Sequence, residues 1–205
     1  MRTSTSQPLL LAILIVAVAP SFGAGQPYVD PEGGLRPFVG TSAFMLVNLV
    51  PSDDPPNFVQ LNFGLRLSPN DTISLEAITW QHFRPLGIQY WQSGDAYPGK
   101  VRDFGVGVAY QRFLWRGAYA AVHAVPFVQQ YIDEDGDVIQ TGFQLFMTLR
   151  FGYHFSAFSD LFFVEPSIAF TSWVNTNVPA SFQEQDNRWG SYFLFEPGLH
   201  FGFNL

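Results

Sequence analysis

The side chains able to do chemistry in this sequence fall on one face of its alternating segments. Arg66, Glu76, Asp103, Arg150, Glu165 and Glu196 occupy polar positions by parity, and all four histidines, His82, His123, His154 and His200, share those positions. A four-residue turn at 156–159 would set Arg150 directly opposite Glu165. A loop symmetric about 180–181 would set Glu165 opposite Glu196. Opposed residues lie ~5 Å apart, so the expected result is an Arg–Glu–Glu row with His123 one diagonal step from Arg150. Two carboxylates with one guanidinium could hold a proton or pass a cation. They could equally pair off and fill an interior, as buried charges must. The second reading is preferred, because an eight-stranded interior is just wide enough for its own side chains.

Catalysis at a lipid surface needs a His beside a Ser and an acid, on the outer face or at the rim. Parity places every histidine on the inner face. Only His82, near a strand end, could meet loop residues such as Asp95 or Ser181, so no catalytic residue is expected. The run Asp133-Glu134-Asp135-Gly136-Asp137 is oxygen-rich like a calcium loop but lacks the D-x-D-x-D-G order, and Asp-Gly is itself a hairpin signal. It reads as a turn, and neither metal nor cofactor is expected. The loop at 84–100 carries Tyr90, Trp91 and Tyr97 among Pro85, Pro98 and several glycines. These aromatics could bind partners or sugars, or form a belt at lipid headgroups, and the belt is preferred.

The elements that position these residues are strands. From residue 35 onward the text breaks into segments of period two, expected at 36–50, 57–68, 71–83, 101–113, 117–131, 138–155, 160–173 and 189–205. In the last, Phe193, Phe195, Pro197, Leu199, Phe201, Phe203 and Leu205 share one face, and Glu196, His200 and Asn204 the other. The segments at 143–153 and 59–67 repeat the pattern. Pro126, Pro166 and Pro197 take outward positions inside strands and are expected to mark bulges. Short connections (68–70, 114–116, 156–159) alternate with longer ones (51–56, 84–100, 133–137, 174–188).

Composition says which way the apolar face points. Charged residues make up 13% of the chain, against roughly 25% in ordinary soluble domains, and Phe occurs 22 times. A narrow interior could not hold so many Phe side chains, whereas lipid could. A lipocalin-like soluble barrel is therefore set aside. The net charge of −7 and the lack of a basic stripe argue against nucleic acid, and the absence of Cys excludes disulfides. At the N-terminus, Arg2, the apolar run Leu9–Ala19 and the small residues Ser21, Gly23, Ala24 and Gly25 read as a cleavable signal peptide over 1–25. The run is too short to span ~30 Å of hydrocarbon as an anchor. A short periplasmic segment at 26–34 and a transmembrane barrel at 35–205 follow.

The whole pattern resembles the small outer-membrane β-barrels typified by the transmembrane domain of outer membrane protein A. Phe201-Gly202-Phe203-Asn204-Leu205 resembles the C-terminal signal that the barrel assembly machinery reads in that class, with Leu205 where an aromatic residue is usual. The resemblance implies an all-β, up-and-down antiparallel barrel of about eight strands in the bacterial outer membrane, in contact with lipid and lipopolysaccharide. The expected function is non-enzymatic, structural or interaction-mediating through external loops. The alternatives are a narrow pore for ions or small solutes and, third, a lipid-modifying enzyme at the outer rim.

Overall fold

The computed structural model describes residues 35–52, 54–88 and 96–205. The expected signal peptide, the segment 26–34, and Tyr90, Trp91 and Asp95 lie outside the described residues.

Alternating polarity produces strands, and one antiparallel sheet holds them all. They are β1 (Arg36–Ser42), β2 (Val59–Arg66), β3 (Asp71–His82), β4 (Lys100–Trp115), β5 (Ala118–Ile132), β6 (Val138–Tyr153), β7 (Phe155–Ala157), β8 (Phe162–Thr176) and β9 (Tyr192–Asn204). β6 and β7 form one strand interrupted at His154, and both pair with β8. β9 returns to β1, with Phe38–Ser42 against His200–Asn204, so the sheet closes into a ring of eight strands. The short connections and both ends of the described chain lie at one end of the ring. The longer connections lie at the other.

The two faces differ sharply. Along β4, Asp103 is 1% exposed while its neighbours Phe104 and Val106 are 63% and 65% exposed. The outer face is apolar on β2, β6 and β9 as well, through residues such as Leu61, Phe63, Met147, Phe151 and Phe203. The inner face buries Gln60, Asn62, Arg66, Glu76, Gln129, Gln144 and His200.

The first strand is shorter than its expected span of 36–50. After Ser42 the alternation fails, because Ala43 to Val47 are apolar at every position. The chain turns into a 3₁₀ helix, Ala43–Leu49, where Ser42 Oγ accepts from the Phe44 N–H at 3.2 Å. Asn48 then serves the edge that β1 has left: its Nδ2 donates to the Phe58 carbonyl at 2.7 Å, and its Oδ1 accepts from the Phe58 N–H at 2.9 Å.

The last strand changes face partway. Between the pairs Ala169–Glu196 and Thr171–Phe193 the register shifts by one, with Phe195 at φ +60°. This bulge turns Phe193 inward and buries it, while Tyr192 and Leu194 face out. The expectation that Phe193 shares a face with Phe195 fails for that reason.

The three strand prolines mark missing ladder bonds instead of bulges. Pro126 stands where the β4–β5 pairing lapses between Gly105–Phe127 and Val108–Ala124. Pro166 falls between the last β6–β8 pair, Gly152–Ser167, and the first β7–β8 pair, Phe155–Val164. Pro197 lies on β9 beyond the stretch that β1 covers. A proline has no N–H to give, so each sits where none is required.

Candidate functional site

The chemistry-bearing side chains meet inside the ring, in layers that run from the short-turn end to the long-loop end. At the short-turn end an aromatic floor surrounds two basic residues. The His154 ring stacks on Phe163 (centroids 5.3 Å apart) and meets the edge of Phe113 at 5.6 Å. The Arg66 guanidinium lies 5.5 Å from the Phe38 ring and donates to Asn204 Oδ1 at 3.1 Å. Gly64 makes the room, since a Cβ there would stand 2.0 Å from the Phe38 ring. His154 Nδ1 reaches Glu165 Oε1 at 2.7 Å, and Gln111 Nε2 donates to the same oxygen at 3.1 Å.

Above the floor lies a cavity of about 40 Å³ bordered by Arg66, Glu76, His123, Arg150, Glu165 and His200. Both Glu76 oxygens lie near His123 Nδ1, at 3.0 and 3.1 Å. Arg150 Nη1 donates to Ser167 Oγ at 2.9 Å. Arg66 Nε, Thr72 Oγ1, His123 Nε2 and Arg150 Nε are buried without a protein hydrogen-bond partner, and all four residues border this cavity. It can hold about two or three water molecules, the partners such groups need.

An apolar layer follows, in which Phe146 stacks on Trp173 at 6.0 Å and meets Phe127 edge-on at 6.0 Å. Beyond it Asp103 accepts from Gln129 Nε2 at 3.0 Å, and His82 Nε2 stands 3.1 Å away, a charge contact more than an aligned hydrogen bond. The long-loop end is stoppered by helix α1 (Ala180–Asp186), whose Phe182 is fully buried against Tyr97, Val101 and Tyr131. The Tyr97 hydroxyl donates to Asp186 Oδ1, and Asn175 Nδ2 donates to Oδ2 at 3.3 Å. Burial, followed by the Asp186 charge, pushes the Tyr97 phenol above its ordinary value. Aromatic contacts continue the stopper from Tyr97 through His82 and Trp80 to Phe58 and Phe44.

The inner face is the expected one, but the Arg–Glu–Glu row is not formed. The hairpin between β7 and β8 turns at 158–161, two residues later than expected. Each partner therefore moves by four: Arg150 faces Ala169, and His154 comes level with Glu165. The loop before β9 is displaced too, so Glu165 faces His200 while Glu196 faces Ala169 and accepts from Thr171 Oγ1 at 2.9 Å. His123 stands across from Thr148, a diagonal step from Arg150. Six of the ten expected interior residues border this cavity; Asp103, Glu196, His82 and His154 do not.

Tyr97 belongs to the stopper and not to an outer aromatic belt, because its ring is 7% exposed and packed on Phe182. Asp133 holds its own turn, with Oδ1 accepting from the Asp137 N–H at 2.9 Å and Gly136 at φ +91°; Asp135 is exposed. Among the described residues, no group of three or more His, Cys, Asp or Glu could hold a metal. Ser42, His200 and Glu165 form one cross-strand row, but Glu165 is committed to His154 and Gln111, and the Ser42 hydroxyl caps Phe44. A Ser–His–acid relay is not assembled there.

Strand periodicity does not reveal α1, Phe182 or Asp186, which fall within the expected connection 174–188. Pro179 ahead of Ala180-Ser181-Phe182-Gln183-Glu184-Gln185 was the available signal: a residue that cannot continue a strand ladder, then helix-compatible residues. In comparison with known proteins, the chain matches no protein-family model, no curated protein and no solved structure.

Proposed function

We propose that the chain is a bacterial outer-membrane β-barrel with a closed lumen, non-enzymatic, acting as a structural element or through its external loops. The observation that carries this reading is the inversion of polarity around the ring, with Phe and aliphatic side chains outside and polar and ionisable side chains inside. Water would leave that outer face unsatisfied over the full height of the strands, whereas hydrocarbon solvates it and the ring satisfies its own backbone. Strands of 12 to 16 residues, such as β3 and β4, are long enough for a tilted crossing. No described helix is long and apolar enough to cross a membrane. The alternation of short and long connections orients the barrel with α1, residues 83–88 and residues 96–99 outward, toward lipopolysaccharide, and both ends of the described chain toward the periplasm. Phe201–Leu205 would be what the assembly machinery reads.

Closure is supported by two stoppers, the aromatic floor around His154 and the lid around Phe182. They favour a sealed barrel over a narrow pore. The test is planar-bilayer recording of protein shown to be folded by heat-modifiable gel mobility and to reside in outer-membrane fractions. A folded, silent barrel is expected. Steady current steps that change when Glu165 and Glu196 are neutralised would overturn the sealed reading in favour of the pore.

A further inference from the structure

We infer that the long-loop end carries a binding cleft for a neutral saccharide. This deepens the proposed function, on which it rests for the outward direction of the loops. A cleft of about 420 Å³ opens beside α1, between residues 85–87 and 186–191, with the end of β8 beneath it. That volume lies within the ~300–1,000 Å³ typical of small-molecule sites.

The cleft is preformed by close contacts. Gly87 lies so near the backbone of Gly190 that a Cβ at 87 would stand 2.0 Å from the Gly190 carbonyl oxygen. Asp186, on its wall, is fixed at both carboxylate oxygens by Tyr97 and Asn175. Its orientation is therefore set before any ligand arrives.

The lining chemistry selects the ligand class. Gln183 and Asn187 present exposed carboxamides, which both donate and accept, as paired hydroxyls on a sugar ring require, while the Asn175 carboxamide is held between Gln144 and Asp186. Trp189 and Leu86 give apolar surface for the C–H face of a pyranose. Among the described residues Asp186 is the one charged side chain of the lining, so an anionic ligand meets a like charge there. Its two oxygens already accept protein hydrogen bonds, which makes it an acceptor for a hydroxyl more than a counter-ion for a cation. Purely apolar ligands would strand the carboxamides.

The test is saturation-transfer NMR on the full chain refolded in an amine-oxide detergent, which carries no sugar, with methyl glucoside, maltose and chitobiose as probes. Binding in the range of about 1–10 mM is expected for at least one probe, and galacturonate should bind more weakly than the neutral sugars. The double variant Gln183→Ala/Asn187→Ala removes two exposed carboxamides and should weaken binding about fivefold or more; Trp189→Ala should do likewise. No transfer to any of the three sugars from folded protein would overturn the inference, as would transfer unchanged by these variants. Vesicle flotation of the same preparation separates the two readings. A vesicle-embedded protein silent toward all three sugars defeats the cleft alone. A sugar-binding protein that fails to enter vesicles defeats the membrane reading alone.

Discussion

His154 and Glu165 face each other where β6 gives way to β7, with Nδ1 2.7 Å from Oε1 and the imidazole fully buried. The same relationship recurs at two other heights, between His123 and Glu76 at 3.0 Å and between His82 and Asp103 at 3.1 Å. Three of the four interior carboxylates named from the sequence thus have an imidazole beside them. An interior built this way is polar in composition but sets most of its carboxylates beside a partner, which is what a filled lumen needs in order to be stable.

Breaking one such pair leaves its partner buried without its main hydrogen-bond partner, Glu165 keeping only Gln111. His154→Ala and Glu165→Leu should each cost about 3–5 kcal/mol. The double variant His154→Phe/Glu165→Leu removes both partners and extends the aromatic floor, so it should lose much less than the sum. Urea unfolding in lipid vesicles measures all three, and strictly additive losses would rule out the coupling.

Phe182 tethers the long-loop end to the ring, and Arg188 follows it on an exposed stretch. Phe182→Ala removes a buried side chain worth about 3–5 kcal/mol at a core site, but here the loss falls on loop docking and not on the strand ladder. Tryptic cleavage after Arg188 should therefore rise by about a hundredfold or more while the heat-modifiable band persists. Equal cleavage of variant and wild type would show that the lid is not held by this ring.

Tyr97 gives the lid a dependence on pH. Its folded-state value is raised by burial and by Asp186, so the closed lid favours the protonated phenol. The stabilisation is fully present below the free phenol's ordinary value near 10 and is lost as pH rises above it, by about 1.4 kcal/mol per pH unit. Near-ultraviolet circular dichroism should report lid opening above about pH 10 in wild type. Tyr97→Phe should reduce that slope; an unchanged slope would place the alkaline transition elsewhere.

Apart from the stretch of β9 before the bulge at Phe195, faces were legible in the sequence and partners were not, and the hairpin at 158–161 shows why. Side chains alternate with period two, so a turn displaced by two residues keeps His154, Glu165 and Arg150 inside while moving every partner by four. The expected turn used the serines of Ser156–Ser159, whereas the observed one bends through Phe158, Ser159 and Asp160, all at positive φ. A phenylalanine in that conformation carries no turn signal. The lid escaped for a different reason. Phe182 is recognisable only once Tyr97, Val101 and Tyr131, far away in sequence, are brought to one place.

Pro197 makes the last prediction, because it sits on an edge the ring does not close. β1 covers β9 only from His200 to Asn204. The Leu205 N–H donates to the Pro37 carbonyl and the Asn204 N–H to the Leu161 carbonyl, so odd-numbered residues on this part of β9 point toward β1 and even-numbered ones toward β8. Residue 197 therefore directs its backbone at the stretch β1 has vacated, and proline leaves no donor there; the bulge at Phe195 bends the edge further. Both features are known means of blunting an exposed strand edge. Pro197→Val restores an N–H on a β-favouring residue and invites a second strand. The variant should fold, keep its heat-modifiable mobility, and form dimers or larger species on sizing in detergent where wild type runs as a single species. A variant that stays at the wild-type size would mean that the 3₁₀ helix Ala43–Leu49 alone shields this edge.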